Sequence, residues 1–126
     1  MLLAVASLAT CDRSCAGESA STTTTLEAAA PPTRIGSCDR VASVSVCSEY
    51  TGAYLSQNEA SITSSCKRLG GSFAYAECQN TVVLGSCRLP TTEVRKFYGS
   101  GATPYDAAGA QKECDVLFGG TWSAFH

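Results

Sequence analysis

Eight cysteines among 126 residues are the side chains of this sequence best placed to do chemistry. Thiols can ligate metal, exchange electrons, attack an electrophile or pair with one another, and spacing separates these roles. Zinc modules bring cysteines two to four residues apart together with histidine. Only Cys11 and Cys15 are that close, and the single histidine is His126. Dithiol redox sites use Cys-x-x-Cys, which is absent from the sequence. A serine or cysteine nucleophile needs an imidazole base, and only His126 could supply one. Carboxylates remain, at Asp39, Glu49, Glu77, Glu93, Asp106, Glu113 and Asp115, in the scatter expected of solvated surface charge. Gly99-Ser100-Gly101 lacks the Lys-Ser/Thr of a phosphate-cradling loop and reads as a backbone turn. The expectation is no catalytic residue, no cofactor and no metal, and cysteines committed to disulfides.

The elements that must position those cysteines are written twice. Gly36-Ser37-Cys38 returns 49 residues later as Gly85-Ser86-Cys87. Cys66 followed by Gly70-Gly71-Ser72-Phe73 returns as Cys114 followed by Gly119-Gly120-Thr121-Trp122. An internal offset of 49 residues, 48 at the second cysteine, marks a duplicated supersecondary unit. The shared positions are glycine, cysteine and one aromatic, residues that shape a backbone.

In the first unit Ile35 to Cys38 and Val41 to Tyr50 read as strands, the second with Val44, Val46 and Tyr50 on one face and Ser43, Ser45, Cys47 and Glu49 on the other. Ser56-Gln57-Asn58-Glu59 is a capping box, which predicts a helix start there. Ile62, Cys66 and Leu69 recur at helical spacing as its apolar face. Gly70-Gly71 ends the helix, and Ser72 to Cys78 returns as a strand. In the second unit Val82 to Leu89 and Thr92 to Tyr98 form a hairpin about Pro90-Thr91. Thr103-Pro104-Tyr105-Asp106 opens the second helix, whose apolar face is Ala110, Cys114 and Leu117. Gly119-Gly120 closes it before a last strand, Thr121 to Phe125, with Trp122, like Phe73, in the core. The fold expected is α+β: two tandem β-β-α-β units, residues 34–79 and 80–126, forming one small disulfide-stapled domain with two helices packed on an antiparallel sheet.

Six cysteines in residues 34–126 allow fifteen pairings, which spacing alone does not decide. The repeat narrows them. Unit two holds only Cys87 and Cys114, which then pair from strand to helix, and equivalence pairs Cys38 with Cys66. Cys47 and Cys78, without counterparts, are left for each other. A domain of about 90 residues buries only some 60–70% of its unfolded surface, so such staples matter. Disulfides of this kind imply an oxidising compartment.

Net charge is -2, and from Arg34 onward eight basic residues face eight acidic ones. No basic stripe exists to collect phosphates, which argues against a nucleic-acid partner. Met1 to Ala9 is apolar, too short to span a bilayer and suited to an export signal over residues 1–10. Residues 11–33, rich in Thr, Ala, Ser and Pro with Leu26 the one large apolar side chain, read as a disordered tether. Leu8-Ala9-Thr10-Cys11 has the form of a lipobox, whose cysteine takes a diacylglycerol. Acylated Cys11 leaves Cys15 unpaired; unacylated Cys11 could pair with it.

That lipobox, the Thr/Ala/Pro tether, Gly-Ser-Cys, Cys47-x-x-Tyr50-x-Gly52 and the Cys with Gly-Gly-x-Phe/Trp resemble a group of small cysteine-rich bacterial lipoproteins of unknown function. The resemblance covers most of residues 8 to 122 and implies export and disulfides, with no activity to carry over. The expected protein is a monomer in the cell envelope or outside the cell, tethered to the membrane by a lipid on Cys11. It would act by binding or as an envelope component; the alternative is a freely secreted disulfide-stabilised inhibitor or effector. Tyr50, Tyr54, Phe97, Tyr98 and Tyr105 form the candidate binding face for a protein or glycan, with Tyr50 and Tyr98 in equivalent places; their other role would be to cover the seam between sheet and helices.

Overall fold

A computed structural model describes residues 34–126. The export signal, the tether, Cys11 and Cys15 lie outside the described residues. Strand β1 (Ile35–Asp39) runs into a single helical turn, α1 (Val41–Val44), and then β2 (Val46–Thr51). Helix α2 (Gly52–Arg68) follows, then β3 (Ser72–Ala74), β4 (Val83–Arg88) and β5 (Val94–Tyr98). Helix α3 (Ala107–Lys112) continues as a π-helical turn, Glu113–Leu117, before β6 (Thr121–Ala124). The six strands form one antiparallel sheet in the order β3-β1-β2-β5-β4-β6. From either edge inward the order is the strand after the helix, then the first and second strands of a hairpin. β2 and β5 meet at the centre.

Register decides which side chains share a face, because directly opposed residues point the same way. Cys38 stands opposite both Ser48 and Phe73, and Cys87 opposite both Arg95 and Trp122. That face carries the helices. Disulfides Cys38–Cys66 and Cys87–Cys114 join sheet to α2 and to the π turn, with Cα separations of 5.7 and 5.6 Å. Val46, Cys87, Phe97, Ala110 and Cys114 form the buried cluster beneath α3, with Leu89, Tyr105, Phe118 and Trp122 packed on it. α2 buries Leu55, Ile62 and Cys66. On the opposite face Cys47–Cys78 ties the loop after β3 to the sheet, where Cys47, Cys78 and Tyr98 pack with Val41 and Val83. Each bond closes a loop of 27 to 31 residues, worth about 3.5 kcal/mol apiece in the chain-entropy account.

The repeated glycines fit the staples. A Cβ on Gly36 would stand 2.8 Å from the Phe73 ring, and one on Gly85 would run into Trp122. A Cβ on Gly71 would meet Cys66 Sγ at 2.9 Å, and one on Gly120 would meet both Cys87 Sγ and Cys114 Sγ. Gly70 and Gly119 take the left-handed conformation, φ 77° and 60°, that closes a helix.

Several expected boundaries are corrected. The strand expected from Val41 begins at Val46, because Asp39 Oδ1 accepts the Val41 N–H at 2.9 Å and nucleates α1. Ser45, buried and at φ 59°, then turns the chain into β2. α2 starts at Gly52, ahead of the capping box; Ser56 donates instead to Ala53 O at 3.1 Å, while Glu59 takes Arg34 at 2.9 Å and the Tyr75 hydroxyl. The buried Leu55, 1% exposed, explains the shift. Burying a leucine is worth about 2 kcal/mol and a cap about 1. α3 is capped by Asp106, whose Oδ1 accepts the Gly109 N–H at 2.6 Å, three residues past Thr103. The strand expected over Ser72 to Cys78 ends at Ala74. Leu69 and Leu117, expected on apolar faces, are 56% and 71% exposed. Leu69 falls on the helix-ending residue, and the wide π turn carries Leu117 outward and brings Phe118 onto the core.

Candidate functional site

The five aromatics do not form one face. Phe97 is fully buried, edge-on to Tyr105 at 5.0 Å and to Trp122 at 5.8 Å. Tyr98, 2% exposed, lies on the far side of the sheet, its hydroxyl donating to Gln79 O at 2.6 Å. Both leave the candidate binding face and belong to the two cores. The equivalence of Tyr50 and Tyr98 is also corrected. Tyr50 stands opposite Gly36, and Phe97 opposite Gly85, so Phe97 occupies the place of Tyr50. The hairpins differ in length by two residues, which a constant offset hides. Tyr50 and Tyr54 remain half-buried and stacked at 6.3 Å, and Tyr105 is half-buried by the start of α3.

A small cleft of about 260 Å³ opens on the helix-bearing face, lined by Arg40, Val44, Val46, Arg95, Tyr105, Glu113 and Phe118. Period two along β5 supplies its floor: Glu93, Arg95 and Phe97 point to the helices, Val94, Lys96 and Tyr98 away. Arg95 is held on three sides. Its Nη2 donates to Glu93 Oε1 at 2.8 Å, its Nε reaches the same oxygen at 3.3 Å, and its guanidinium lies 4.2 Å over the Phe118 ring. Arg40 is held differently. Its stem packs into the notch left by Gly71, where a Cβ would meet Arg40 Cγ at 2.6 Å, and its buried Nε has no acceptor.

Burial, then the neighbouring Glu113 carboxylate, pushes Tyr105 up to about 12. Burial and Glu93 raise Tyr50, against the opposing pull of the Ser48 hydroxyl, Arg95 and Arg40. Both phenols are therefore protonated hydrogen-bond donors throughout the physiological range.

Three further carboxylates have partners, and Glu77 and Asp115 are exposed. Glu49 pairs with Lys96 at 2.8 Å and accepts the Cys78 N–H at 2.7 Å, Asp39 caps α1, and Asp106 caps α3. Lys96 also donates to Asn80 Oδ1 at 2.9 Å, which fixes the loop under Cys78. A broader hollow of about 510 Å³ lies beside this loop, between Asp39, Gly70, Gln79, Tyr98 and Ser100. Gly101, read as a turn, packs against the carbonyl of Val41. Among the described residues no three His, Cys, Asp or Glu side chains stand close enough together to hold a metal ion, and no helix is long and apolar enough to cross a membrane.

Arg40, Glu93, Arg95, Glu113 and Phe118 went unnoticed in the sequence as a set. One signal was available: Glu93 and Arg95 alternate with Phe97 on the core side of a strand, where charge is costly unless paired. Compared with known proteins, the chain matches no family model, no curated protein and no solved structure.

Proposed function

We propose that this protein is exported, held at a membrane by a lipid on Cys11, and acts through residues 34–126 by binding and not by catalysis. The carrying observation is the cysteine ledger. Six of the eight cysteines close disulfides within residues 34–126, and none of those three bonds uses Cys11, the lipobox cysteine. Three cross-links in so small a domain suit a protein working in an oxidising compartment, and a rigid stapled sheet suits a binding scaffold.

Residues 34–79 and 80–126 are, in this reading, a duplicated β-β-α-β unit. The support is point by point: Gly36 and Gly85 each lie under the aromatic of the following return strand, and Gly71 and Gly120 each lie on the helix disulfide. Arg40 and Leu89 each donate their N–H to the start of the next strand, to Val46 O at 3.0 Å and Glu93 O at 2.8 Å. Cys47–Cys78 is an addition of the first unit.

Mass spectrometry of the mature protein from its native host tests the tether. A diacylglycerol-modified Cys11 at the N-terminus is the expected result. An unmodified terminus elsewhere overturns it and leaves the freely secreted inhibitor or effector.

A further inference from the structure

We propose that the cleft between α3 and the sheet binds a small carboxylate, its oxygens on Arg40 and its apolar body against Val44, Val46 and Phe118. This rests on the reading of residues 34–126 as a binding domain and gives that domain a ligand class.

The case starts from what the fold does not require. Arg40 and Leu89 occupy matching places in the two hairpins, each making the same backbone bond to the next strand. Leu89 packs against the buried cluster. An apolar side chain therefore satisfies the architecture at this point, and the first hairpin carries a guanidinium instead. Arg40 is half-buried, and a guanidinium nitrogen is costly to bury without an acceptor. Arg40 Nε is shielded from solvent and has no hydrogen-bond partner among the described residues, and no carboxylate among them pairs with the Arg40 side chain within 4.0 Å. Arg95, its neighbour across the cleft, has its partner in Glu93 at 2.8 Å. Arg40 is the cation of this cleft left without an anion.

Charge and shape narrow the ligand. Glu113 lines the cleft and Glu93 lies behind Arg95, so a doubly charged phosphate meets repulsion that a singly charged carboxylate meets less. A planar carboxylate also fits the guanidinium fork. Val44, 38% exposed, with Val46 and Phe118, supplies an apolar wall. At about 260 Å³ the space is below the range that holds drug-sized ligands. A small aliphatic or aromatic acid fits this description, and so does the carboxyl end of a peptide.

The test is an NMR titration of the full-length, oxidised chain with four probes: benzoate, inorganic phosphate, a short peptide ending in phenylalanine with a free carboxylate, and the same peptide amidated. Expected are saturable shifts at residues 40–46, 95, 105 and 113–118 with one or both carboxylate probes, and none with the amide. The stronger of the two acids identifies the source as free acid or chain end. Arg40→Met keeps the stem that fills the Gly71 notch and should weaken binding more than tenfold; Arg40→Lys should retain part of it; Arg88→Met, on an exposed strand end, should change nothing. Retained disulfides and an unchanged amide spectrum of each free variant establish that it folds. No saturable binding up to about 10 mM, equal affinity in Arg40→Met, or inorganic phosphate binding as tightly as benzoate each overturns the proposal. None of these outcomes bears on the lipid at Cys11, which the mass of the mature N-terminus decides separately.

Discussion

The two faces of the sheet are covered by different means. On one lie α2 and α3, and α2 and the π turn that continues α3 are each bonded through a half-cystine to a buried strand position, Cys38 or Cys87. On the other, a loop without regular secondary structure is held by Cys47–Cys78, by Tyr98 donating to Gln79 O and by Glu49 and Lys96 reaching Cys78 and Asn80. On the helix face Cys87–Cys114 is set among Phe97, Trp122 and Ala110, with the Arg95–Glu93 pair and Arg40 beside that cluster. The loop face is polar, its one disulfide surrounded by hydrogen bonds. Helices satisfy their own backbone and can cover a sheet with apolar contact alone; a loop must have its polar groups met one at a time. The same cross-link therefore serves two purposes: it completes a core on one face and fastens a polar strap on the other.

Removing a bond from each face should separate these roles. The double change Cys87→Ala and Cys114→Ala loses about 3.5 kcal/mol of loop closure and leaves a void beside Phe97, for a total of about 4–5 kcal/mol. Chemical denaturation should show that loss as a lower midpoint for the whole domain. Cys47→Ala with Cys78→Ala should cost less, about 3.5 kcal/mol from loop closure without the void beside Phe97, and hydrogen exchange should rise chiefly over residues 75–82. Exchange rising equally in α2 and α3 would show that the loop staple supports the core as well.

Gly85→Ala tests the helix face more finely. The added methyl meets the Trp122 ring, and overpacking of this kind costs about 1–3 kcal/mol; a melting curve unchanged from the parent would remove the close-packing argument. The smallest expected effect is alkaline. Tyr98, raised to about 12 by burial and then by Asp39 and Glu49, reports the loop face, and Tyr105, at about 12, the helix face. A phenol whose folded pKa lies above its unfolded value of about 10 contributes stability below that value and loses it as pH rises toward 12. Stability should fall across that window, and Glu113→Gln should move the ultraviolet titration of Tyr105 downward while leaving Tyr98 in place.

How legible all this was in the sequence depended on range. Glycines and cysteines constrain the backbone locally and carry their meaning with them, so Gly70-Gly71 and Gly119-Gly120 indicated the helix ends, and the alternation of Val44, Val46 and Tyr50 indicated a strand of which the structure contains the part from Val46. Helix starts were less readable. Ser56 and Glu59 have the form of a box, but Leu55 had somewhere to be buried, and only the sheet reveals that. The same applies to the cleft. The 49-residue offset sets Arg40 against Leu89, but only the structure shows Arg40 Nε buried without a partner among the described residues, and Tyr50 lines up with Phe97 because the two hairpins differ by two residues in length. Side chains that act in pairs across a sheet are invisible to a reading along the chain.

The central pairing of β2 with β5 has a consequence for what holds the molecule together. All three disulfides among the described residues begin and end on the same side of that seam, two within residues 34–79 and one within 80–126. Across it run a backbone ladder, the Glu49–Lys96 ion pair and the hydrogen bonds of Tyr98 and Lys96 to the loop. A single peptide-bond cut near Asn80 would thus leave two cross-linked fragments with no covalent tie between their described parts, able to part company and to trade partners with a second copy, while every disulfide stayed intact.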